Sequence, residues 1–354
     1  MNHRTHYRCL RPVVSAAILL FVTFLCSPAF CDQTSVLGES GTEPTFLDVA
    51  YGPHPSNTLD FWRAPSDTPA PVIVQIHGGG FKEGDKSSFR HDVDAIRLCK
   101  SKGVSLASIN YRFIDAAPIQ DILRDSARAI QFLRYHAADW NIDKPRIICY
   151  GDSAGAGTSL WLAFHDDLSD PDSADPVLRE STRLYAAGAL APQATYDFAA
   201  WPAVLDIPQL VWHCCSWHIS PAYYHIPGYE AYGKNGQKLR SELDMLSKID
   251  RGDPPIYISS TQVYTPLTFG NLGSLAHTAA LQWLADHKVI APEKVKRDSG
   301  INFDILHHPA HGHMLEKTCR ERGVPCTAVY RDTPPEKRTD LFAFFFARLG
   351  IPLP

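Results

Sequence analysis

The segment ICYGDSAGAG at residues 147–156 places Ser153 between two glycines, directly after a short apolar run. A serine becomes an exposed nucleophile when it lies in a sharp turn between a strand and a helix, where the neighbouring backbone comes so close that only small residues fit. Gly151, Ala154 and Gly155 are residues of that size at the required positions. The pattern predicts Ser153 as the nucleophile of a covalent reaction.

A second glycine-rich motif, HGGG at residues 77–80, ends a predicted strand upstream. Acyl hydrolases that use a strained serine place backbone N–H donors at this point to bind the oxyanion of the tetrahedral intermediate. We therefore predict an oxyanion hole formed by the amides of Gly79, Gly80 and Ala154, with His77 bracing the loop. A phosphate-binding loop is the competing interpretation, but the sequence has neither the Lys-Ser/Thr pair of a P-loop nor the GxGxxG spacing.

Predicted strands and helices alternate around these motifs. Apolar runs at residues 70–76, 104–110 and 146–150 are typical of buried strands, and the apolar positions of residues 118–138 follow one face of a helix. This alternation predicts right-handed crossovers and a mostly parallel sheet flanked by helices, which is an α/β fold. No internal repeat divides the chain, so residues 32–354 are predicted to form a single domain.

An aromatic-rich stretch at about residues 199–253 separates the predicted strand at 184–191 from the next one at 254–261. Such an insertion over a parallel sheet is well placed to form a lid or a wall of an acyl pocket. Packing of its aromatic rings onto the core is the alternative. Within it, HCCSWH at 213–218 offers His and Cys side chains without zinc-finger spacing or a second pair, so no metal site is predicted.

The motifs HGGGF, INYRF, DWNIDKPRIICYGDSAGAG and DPPIYIS, in this order, resemble the α/β-hydrolase fold in its HGGG-containing carboxylesterase branch, with its hormone-sensitive-lipase and feruloyl-esterase-like members. The resemblance covers residues 45–260, and the segment at 157–184 also resembles a little-characterised bacterial group. It implies an eight-stranded, mostly parallel sheet, a Ser-His-Asp triad, ester substrates and no cofactor. The triad order in that family is serine, then acid, then histidine.

The chain departs from the family pattern at the acid. The family acid lies just beyond the strand that corresponds to residues 254–261, but the QVYTPLTFGNLGS that follows contains neither Asp nor Glu. Thr265 and Asn271 occupy nearby positions. Asp197, after the preceding strand, is the candidate acid, with a turn or helix cap as its alternative role. An acid orients the histidine and stabilises its protonated form, so its loss would slow catalysis without necessarily abolishing it.

The base is predicted among His307, His308 and His311, and two strand assignments compete. If INFDIL at 301–306 is the last strand, His311 follows it in a loop and is the base. If VPCTAVY at 324–330 is the last strand, the loop ahead of a helix supplies His307 or His308, while His311 lies at the helix start. We favour the second strand assignment, yet rank His311 and His308 nearly equal as the base.

Composition and the N-terminus limit the remaining classes of function. The chain has 354 residues, 45% of them hydrophobic, and a net charge of −4 without a basic cluster, which argues against a nucleic-acid partner. Arginines followed by an apolar run at 13–25, shorter than the ~20 residues of a spanning helix, predict a signal peptide over residues 1–31. A lipid on Cys31 is the alternative. Export would permit disulfides, and Cys319 and Cys326 are the candidate pair.

Together these patterns predict a secreted or periplasmic serine hydrolase of the carboxylesterase type that acts on small or medium acyl esters. Ser153 would form the acyl-enzyme, a histidine would move the proton, and no cofactor or metal would be needed. The alternative, motivated by the missing acid, is a non-enzyme of the same fold that binds a ligand. Amidase or peptidase activity, the identity of the substrate and the oligomeric state are left open.

Overall fold

The computed structural model describes residues 41–207, 209, 212, 219–262 and 305–352, which belong to the compact unit Leu37–Pro354. Several predicted features lie outside the described residues: the signal peptide with Cys31, the segment at 213–218, Thr265 and Asn271. Among the helices that are described, none is both long enough and apolar enough to cross a membrane.

One eight-stranded sheet forms the centre of the described structure. Its strands are β1 (Phe46–Ala50), β2 (Thr58–Trp62), β3 (Ala70–Ile76), β4 (Ser105–Ile109), β5 (Ile142–Asp152), β6 (Ala186–Leu190), β7 (Ile256–Ser260) and β8 (Cys326–Tyr330). Their order across the sheet is β1-β2-β4-β3-β5-β6-β7-β8. β2 pairs antiparallel with both β1 and β4, and all other pairs are parallel. The predicted eight-stranded, mostly parallel sheet is confirmed.

Helices connect the strands and cover the sheet. The described helices are α1 (Val93–Ser101), α2 (Ile119–Tyr135), α3 (Ala137–Trp140), α4 (Ala154–Phe164), α5 (Trp201–Leu205), α6 (Ile219–Tyr224), α7 (Gly228–Ala231), α8 (Lys234–Leu243), α9 (Met245–Lys248), α10 (Pro309–Arg322) and α11 (Leu341–Leu349), with 3-10 turns at Lys86–His91, Pro176–Arg179, Phe198–Ala200 and Pro335–Lys337. The helix predicted near residues 118–138 is therefore present, and Pro118 is its N-cap.

The two faces of the sheet are buried in separate apolar clusters. In β3, Val72 and Val74 point into the cluster that contains α2 and α4, while Ile73 points into the cluster that contains α1 and α11. Successive residues of a strand face opposite sides, so a strand buried on both faces is apolar at most of its positions. This explains why the central strands were visible as continuous apolar runs in the sequence.

The C-terminal part follows the second of the two predicted strand assignments. α10 precedes β8, the last strand, and α11 follows it, so the histidine cluster lies ahead of a helix. The candidate disulfide is not formed: Cys319 and Cys326 are free thiols. They are adjacent because α10 ends at Gly323 in a left-handed cap that returns the chain to the sheet, and their side chains form a hydrogen bond with each other instead.

Candidate active site

Ser153 occupies the turn between β5 and α4, as its motif predicts. Its backbone has φ 50° and ψ −113°, a left-handed conformation that is costly for a residue with a side chain. The Ser153 N–H donates to the carbonyl of Leu190 at the end of β6, 2.9 Å away. The turn is thereby held to the neighbouring strand.

Close backbone approach explains the small residues around Ser153. A Cβ atom built on Gly155 would lie 2.0 Å from the carbonyl oxygen of Ile76, and one on Gly151 would lie 2.5 Å from the same oxygen. Real Cβ atoms do not approach so closely, so β3 and α4 can meet only if both positions lack a side chain. This contact also brings the loop that follows β3 beside the nucleophile.

His307 is the histidine that reaches Ser153. Its Nε2 lies 2.8 Å from Ser153 Oγ, within the range of about 2.6 to 3.2 Å that a general base requires. His307 belongs to the short segment before α10, which is the loop ahead of a helix that the favoured strand assignment predicts. In the neutral imidazole, Nε2 would accept the serine proton and Nδ1 would carry the ring proton.

His308 and His311 form hydrogen bonds with backbone groups, and among the described residues neither forms one with Ser153. Our ranking of these two histidines as the leading candidates for the base is corrected. His308 is the N-cap of α10, and its Nδ1 accepts the N–H of Ala310 at 3.2 Å. His311 lies in the first helical turn, fully buried; its Nδ1 accepts the N–H of Ala194, and its Nε2 lies 3.0 Å from the carbonyl oxygen of Ile305. The start of the helix at Pro309 decides the outcome, because it turns these two side chains toward backbone groups.

The HGGG loop runs directly against the nucleophile turn. A Cβ on Gly78 would lie 2.8 Å from the carbonyl oxygen of Asp152, and both Gly79 and Gly80 have positive φ, 103° and 60°. Ala154 begins α4, so its N–H is among those that have no acceptor within the helix. Within the described part of the chain, none of the three predicted oxyanion amides, those of Gly79, Gly80 and Ala154, donates a hydrogen bond to another residue.

Hydrogen bonds at the carbonyl ends fix the orientation of these peptides. His77 Nδ1 lies 2.8 Å from the Gly78 carbonyl, to which it donates, and the peptide that contains this carbonyl also contains the Gly79 N–H. Because a trans peptide directs its N–H opposite to its C=O, the bond fixes the direction of that donor. Tyr111 stacks on the His77 ring, with centroids 4.3 Å apart, and donates to the His77 carbonyl at 2.7 Å. Burial lowers the pKa of His77, which favours the neutral form of its ring.

The next two peptides of the loop are held in the same way. The Gly79 carbonyl accepts the amides of Lys82 and Glu83 at 3.0 and 3.2 Å, which fixes the direction of the Gly80 N–H. The Gly80 carbonyl accepts the hydroxyl of Tyr223 at 3.1 Å. Tyr223 belongs to α6 in the aromatic insertion, so the insertion contacts the oxyanion loop directly.

Known proteins match this chain in sequence and in fold. The BD-FAE family model matches residues 59–187, a range that includes both HGGG and Ser153. The chain has the α/β-hydrolase fold, and its residues 59–187 are similar to the BD-FAE family. Two solved structures are similar in fold to this α/β-hydrolase. A truncated carbohydrate esterase from gut microbiota has a TM-score of 0.56 and 16% identity, over 86% of this chain and 95% of that one. An acetyl ester-xyloside bifunctional hydrolase from Caldicellulosiruptor lactoaceticus has a TM-score of 0.51 and 19% identity, over 83% and 88%.

Curated relatives of the α/β-hydrolase are similar over part of their length. The probable carboxylic ester hydrolase LipM of Mycobacterium tuberculosis is 27% identical in an alignment 270 residues long, gaps included, that covers 68% of this chain and 60% of that relative. The probable isoprenylcysteine alpha-carbonyl methylesterase ICMEL1 of Arabidopsis thaliana is 27% identical over 139 residues, 39% of this chain and 29% of that relative. The chain therefore spans less than two thirds of the length of either relative.

Asp197, the candidate acid, has two other partners in this α/β-hydrolase. Its carboxylate caps the 3-10 turn Phe198–Ala200 by accepting the N–H of Ala199 at 2.9 Å, and it lies 3.3 Å from Arg240 Nε. Burial raises the pKa of Asp197, and the cap and the Arg240 charge oppose that rise. Asp197 therefore caps a 3-10 turn, which is the alternative role that the sequence analysis gave it. These contacts do not support its predicted role as the triad acid.

A different acidic side chain interacts electrostatically with His307. Asp152, the second residue of the GDSAG motif, precedes the nucleophile, and partial burial raises the pKa of its carboxyl group while the charge of His307 lowers it. The same attraction favours the protonated form of His307, which is the form that exists while the base holds the serine proton. The motif contained this residue, but its pattern indicated only the nucleophile.

Three tyrosines that the sequence patterns did not single out support the site. Tyr111 lies within INYRF, so the family motif contained a signal for it. Tyr196 donates to the Ala154 carbonyl at 2.9 Å, and Tyr223 holds the oxyanion loop. Tyr223 belongs to the aromatic-rich stretch that the sequence analysis considered as a whole, whereas Tyr196 lies in a segment with no recognisable spacing. In the described residues, no group of three or more His, Cys, Asp or Glu side chains is arranged to hold a metal ion.

Proposed function

We propose that this α/β-hydrolase is a serine carboxylesterase that hydrolyses small or medium acyl esters through an acyl-enzyme on Ser153. The observation that carries the proposal is the 2.8 Å contact between Ser153 Oγ and His307 Nε2 at a strained turn between a strand and a helix. The names of the similar proteins support the substrate class, since they describe a carboxylic ester hydrolase, a methylesterase and a carbohydrate esterase.

In the acylation step, His307 Nε2 takes the proton of Ser153 as Oγ attacks the carbonyl carbon of the ester. The carbonyl π electrons move onto oxygen, and the amides of Gly79, Gly80 and Ala154 stabilise the resulting oxyanion. When the intermediate collapses, the bond to the alcohol oxygen breaks and His307 gives its proton to that oxygen. The alcohol leaves, and the acyl group remains on Ser153.

Water completes the reaction by the same route. His307 takes a proton from a water molecule as the water oxygen attacks the acyl carbon. The same three amides stabilise the second oxyanion. Collapse returns the proton to Ser153 Oγ and releases the carboxylic acid. The negative charge of Asp152 interacts with the charge of His307 and so favours both intermediates, in which that ring is protonated.

The experiment that tests this proposal is labelling of the purified mature protein with a fluorophosphonate, which reacts with activated serines. We expect one adduct, located on Ser153 by mass spectrometry, and no adduct in Ser153→Ala. Hydrolysis of p-nitrophenyl acetate and butyrate should depend on the same residue. Repeated failure of the folded protein to react would instead support the alternative, a ligand-binding protein of the same fold.

We also propose that the chain is exported and that its leader is removed. The basic N-terminus, the apolar run at residues 13–25 and the small residues after it support this proposal. N-terminal sequencing of protein recovered from the cell envelope or the medium should begin near Asp32 or Gln33. Recovery of a membrane-bound product that still begins with Met1 would contradict cleavage.

A further inference from the structure

His311 is fully buried, and its ring nitrogens contact two backbone groups of the described residues with opposite hydrogen-bonding sense. The N–H of Ala194 donates to its Nδ1 at 3.2 Å, so Nδ1 carries no proton. Its Nε2 lies 3.0 Å from the carbonyl oxygen of Ile305, which can only accept, so Nε2 carries the ring proton. These partners select the neutral imidazole with its proton on Nε2. Protonation of Nδ1 would set two N–H donors against each other.

The partners of His311 lie on the two segments that form the catalytic pair. Ile305 is two residues before His307, and Ala194 follows β6, whose last residue, Leu190, holds the N–H of Ser153 at 2.9 Å. His311 therefore connects the segment that carries the base to the segment that holds the nucleophile turn. The edge of the His311 ring packs on Trp201, with centroids 4.7 Å apart and planes at 68°, which restricts rotation of the ring.

A second hydrogen bond ties the same two segments together. Gln193 Nε2 donates to the carbonyl of Leu306 at 2.9 Å, so the two peptides immediately before His307 are both anchored at their carbonyl oxygens. His308 then caps α10, which fixes the chain immediately after His307. The position of the His307 ring is thus set by bonds on both sides of it in the chain.

We propose that His311 is a positioning residue, which acts through the Ile305 carbonyl to keep His307 Nε2 within reach of Ser153. The inference rests on the proposed function, in which His307 is the base. A base that moves by about 1 Å loses on the order of a hundredfold in rate, so one lost anchor in a loop with two anchors should cost about tenfold to a hundredfold in kcat. KM should change little, because His311 is buried away from the substrate.

Two substitutions separate the two hydrogen bonds of His311. His311→Gln places an amide N–H near the original Nε2 and keeps the donor toward Ile305, while His311→Asn keeps an acceptor toward Ala194 but is too short to reach Ile305. We expect His311→Gln to retain kcat within about threefold and His311→Asn to lose about tenfold to a hundredfold. Wild-type kcat in His311→Asn, or equal loss in both variants, would overturn the proposal.

A double-mutant cycle distinguishes positioning of the base from general damage to the fold. In a His307→Ala background there is no base to position, so adding His311→Asn should leave the residual rate unchanged. General damage would lower that residual rate by the same factor as in the wild type and would contradict the proposal. If His311→Asn does not fold, Gln193→Ala removes the other anchor and should show the same dependence on His307.

The test separates failure of this inference from failure of the proposed function. A folded wild-type protein without Ser153-dependent ester hydrolysis refutes the proposed function, and with it any role for His311 in positioning a base. Active wild type with unaffected His311→Asn refutes only the inference. Nitrogen-15 NMR of histidine-labelled protein gives a readout independent of activity, and it should show His311 protonated at Nε2 alone. A ring protonated at Nδ1 would contradict the assignment.

Discussion

The aromatic insertion holds the oxyanion loop through one hydroxyl group, so removing that hydroxyl should slow catalysis. Tyr223→Phe deletes the 3.1 Å hydrogen bond to the Gly80 carbonyl and keeps the ring, whose edge-on contacts with Phe198 and Phe81 have centroids 5.4 and 6.4 Å apart. A hydrogen bond of this kind contributes about 0.5 to 1.5 kcal/mol. If that free energy is lost from the transition state, kcat should fall about 2- to 13-fold.

The assay is the steady-state hydrolysis of p-nitrophenyl butyrate, with kcat and KM determined separately. Tyr257→Phe is the matched control, because the Tyr257 hydroxyl also donates to a backbone carbonyl, that of Thr339 at 3.0 Å, in the cluster on the other face of the sheet. We expect Tyr223→Phe to lower kcat with KM nearly constant, and Tyr257→Phe to leave kcat unchanged. Equal kcat in Tyr223→Phe and the wild type would refute the coupling of the insertion to the oxyanion loop.

Two further predictions concern stability. Asp60 is fully buried and lies 3.0 Å from Lys86 Nζ and 2.7 Å from a guanidinium nitrogen of Arg90. Asp60→Asn leaves the buried Lys86 ammonium with Asp48 as its carboxylate partner and should cost about 1 to 3 kcal/mol in urea unfolding. Burial raises the pKa of Asp253 from 3.8 to about 6, so the folded state binds the proton more tightly than the unfolded state does. The resulting stabilisation is complete below pH 3.8 and is lost as the pH rises to about 6. The free energy of unfolding should fall by about 1 to 3 kcal/mol over this pH range, and Asp253→Asn should abolish that pH dependence. A variant whose free energy of unfolding keeps the wild-type pH dependence would contradict its assignment to Asp253.

The sheet and the nucleophile were predictable because local sequence determines them. A strand covered on both faces is apolar at most positions, so β3, which is apolar except at Gln75, appears as a nearly continuous apolar run. A Cβ atom on Gly155 would lie 2.0 Å from the carbonyl oxygen of Ile76, which excludes every larger residue, so the turn around Ser153 appears as a pattern of small residues. In both cases one steric requirement restricts several adjacent positions.

The choice of base depends on geometry that the sequence does not encode locally. His307, His308 and His311 lie within five residues of the sequence. Each residue of a helix is rotated by about 100° from the one before it. A shift of one residue in the start of the helix would therefore change which histidine side chain faces Ser153. The start at Pro309 directs His308 to the helix N-terminus and His311 into the interior, and leaves His307 facing Ser153. Sequence alone therefore limited the base to the cluster without selecting its member.

Contacts between residues that are distant in the chain could not be predicted from the sequence for a related reason. Tyr223 and Gly80 are 143 residues apart, and only the folding of the insertion brings the hydroxyl to the loop. Asp197 shows the reverse case, since its position after a strand suggested a triad acid, whereas its nearest partners are the cap at Ala199 and the charge of Arg240. Short polar side chains after strands often serve as caps, and sequence position alone does not separate the two roles.

The central claim is that His307 activates Ser153, and the rate of covalent modification tests it most directly. The second-order rate constant for reaction of a fluorophosphonate with Ser153 should be measured in the wild type, His307→Ala and His308→Ala, with folding checked by circular dichroism. We expect His307→Ala to lower it by about 10² to 10⁴, the usual contribution of a general base, and His308→Ala to retain most of it. A His307→Ala protein that is folded and labelled at the wild-type rate would contradict the claim.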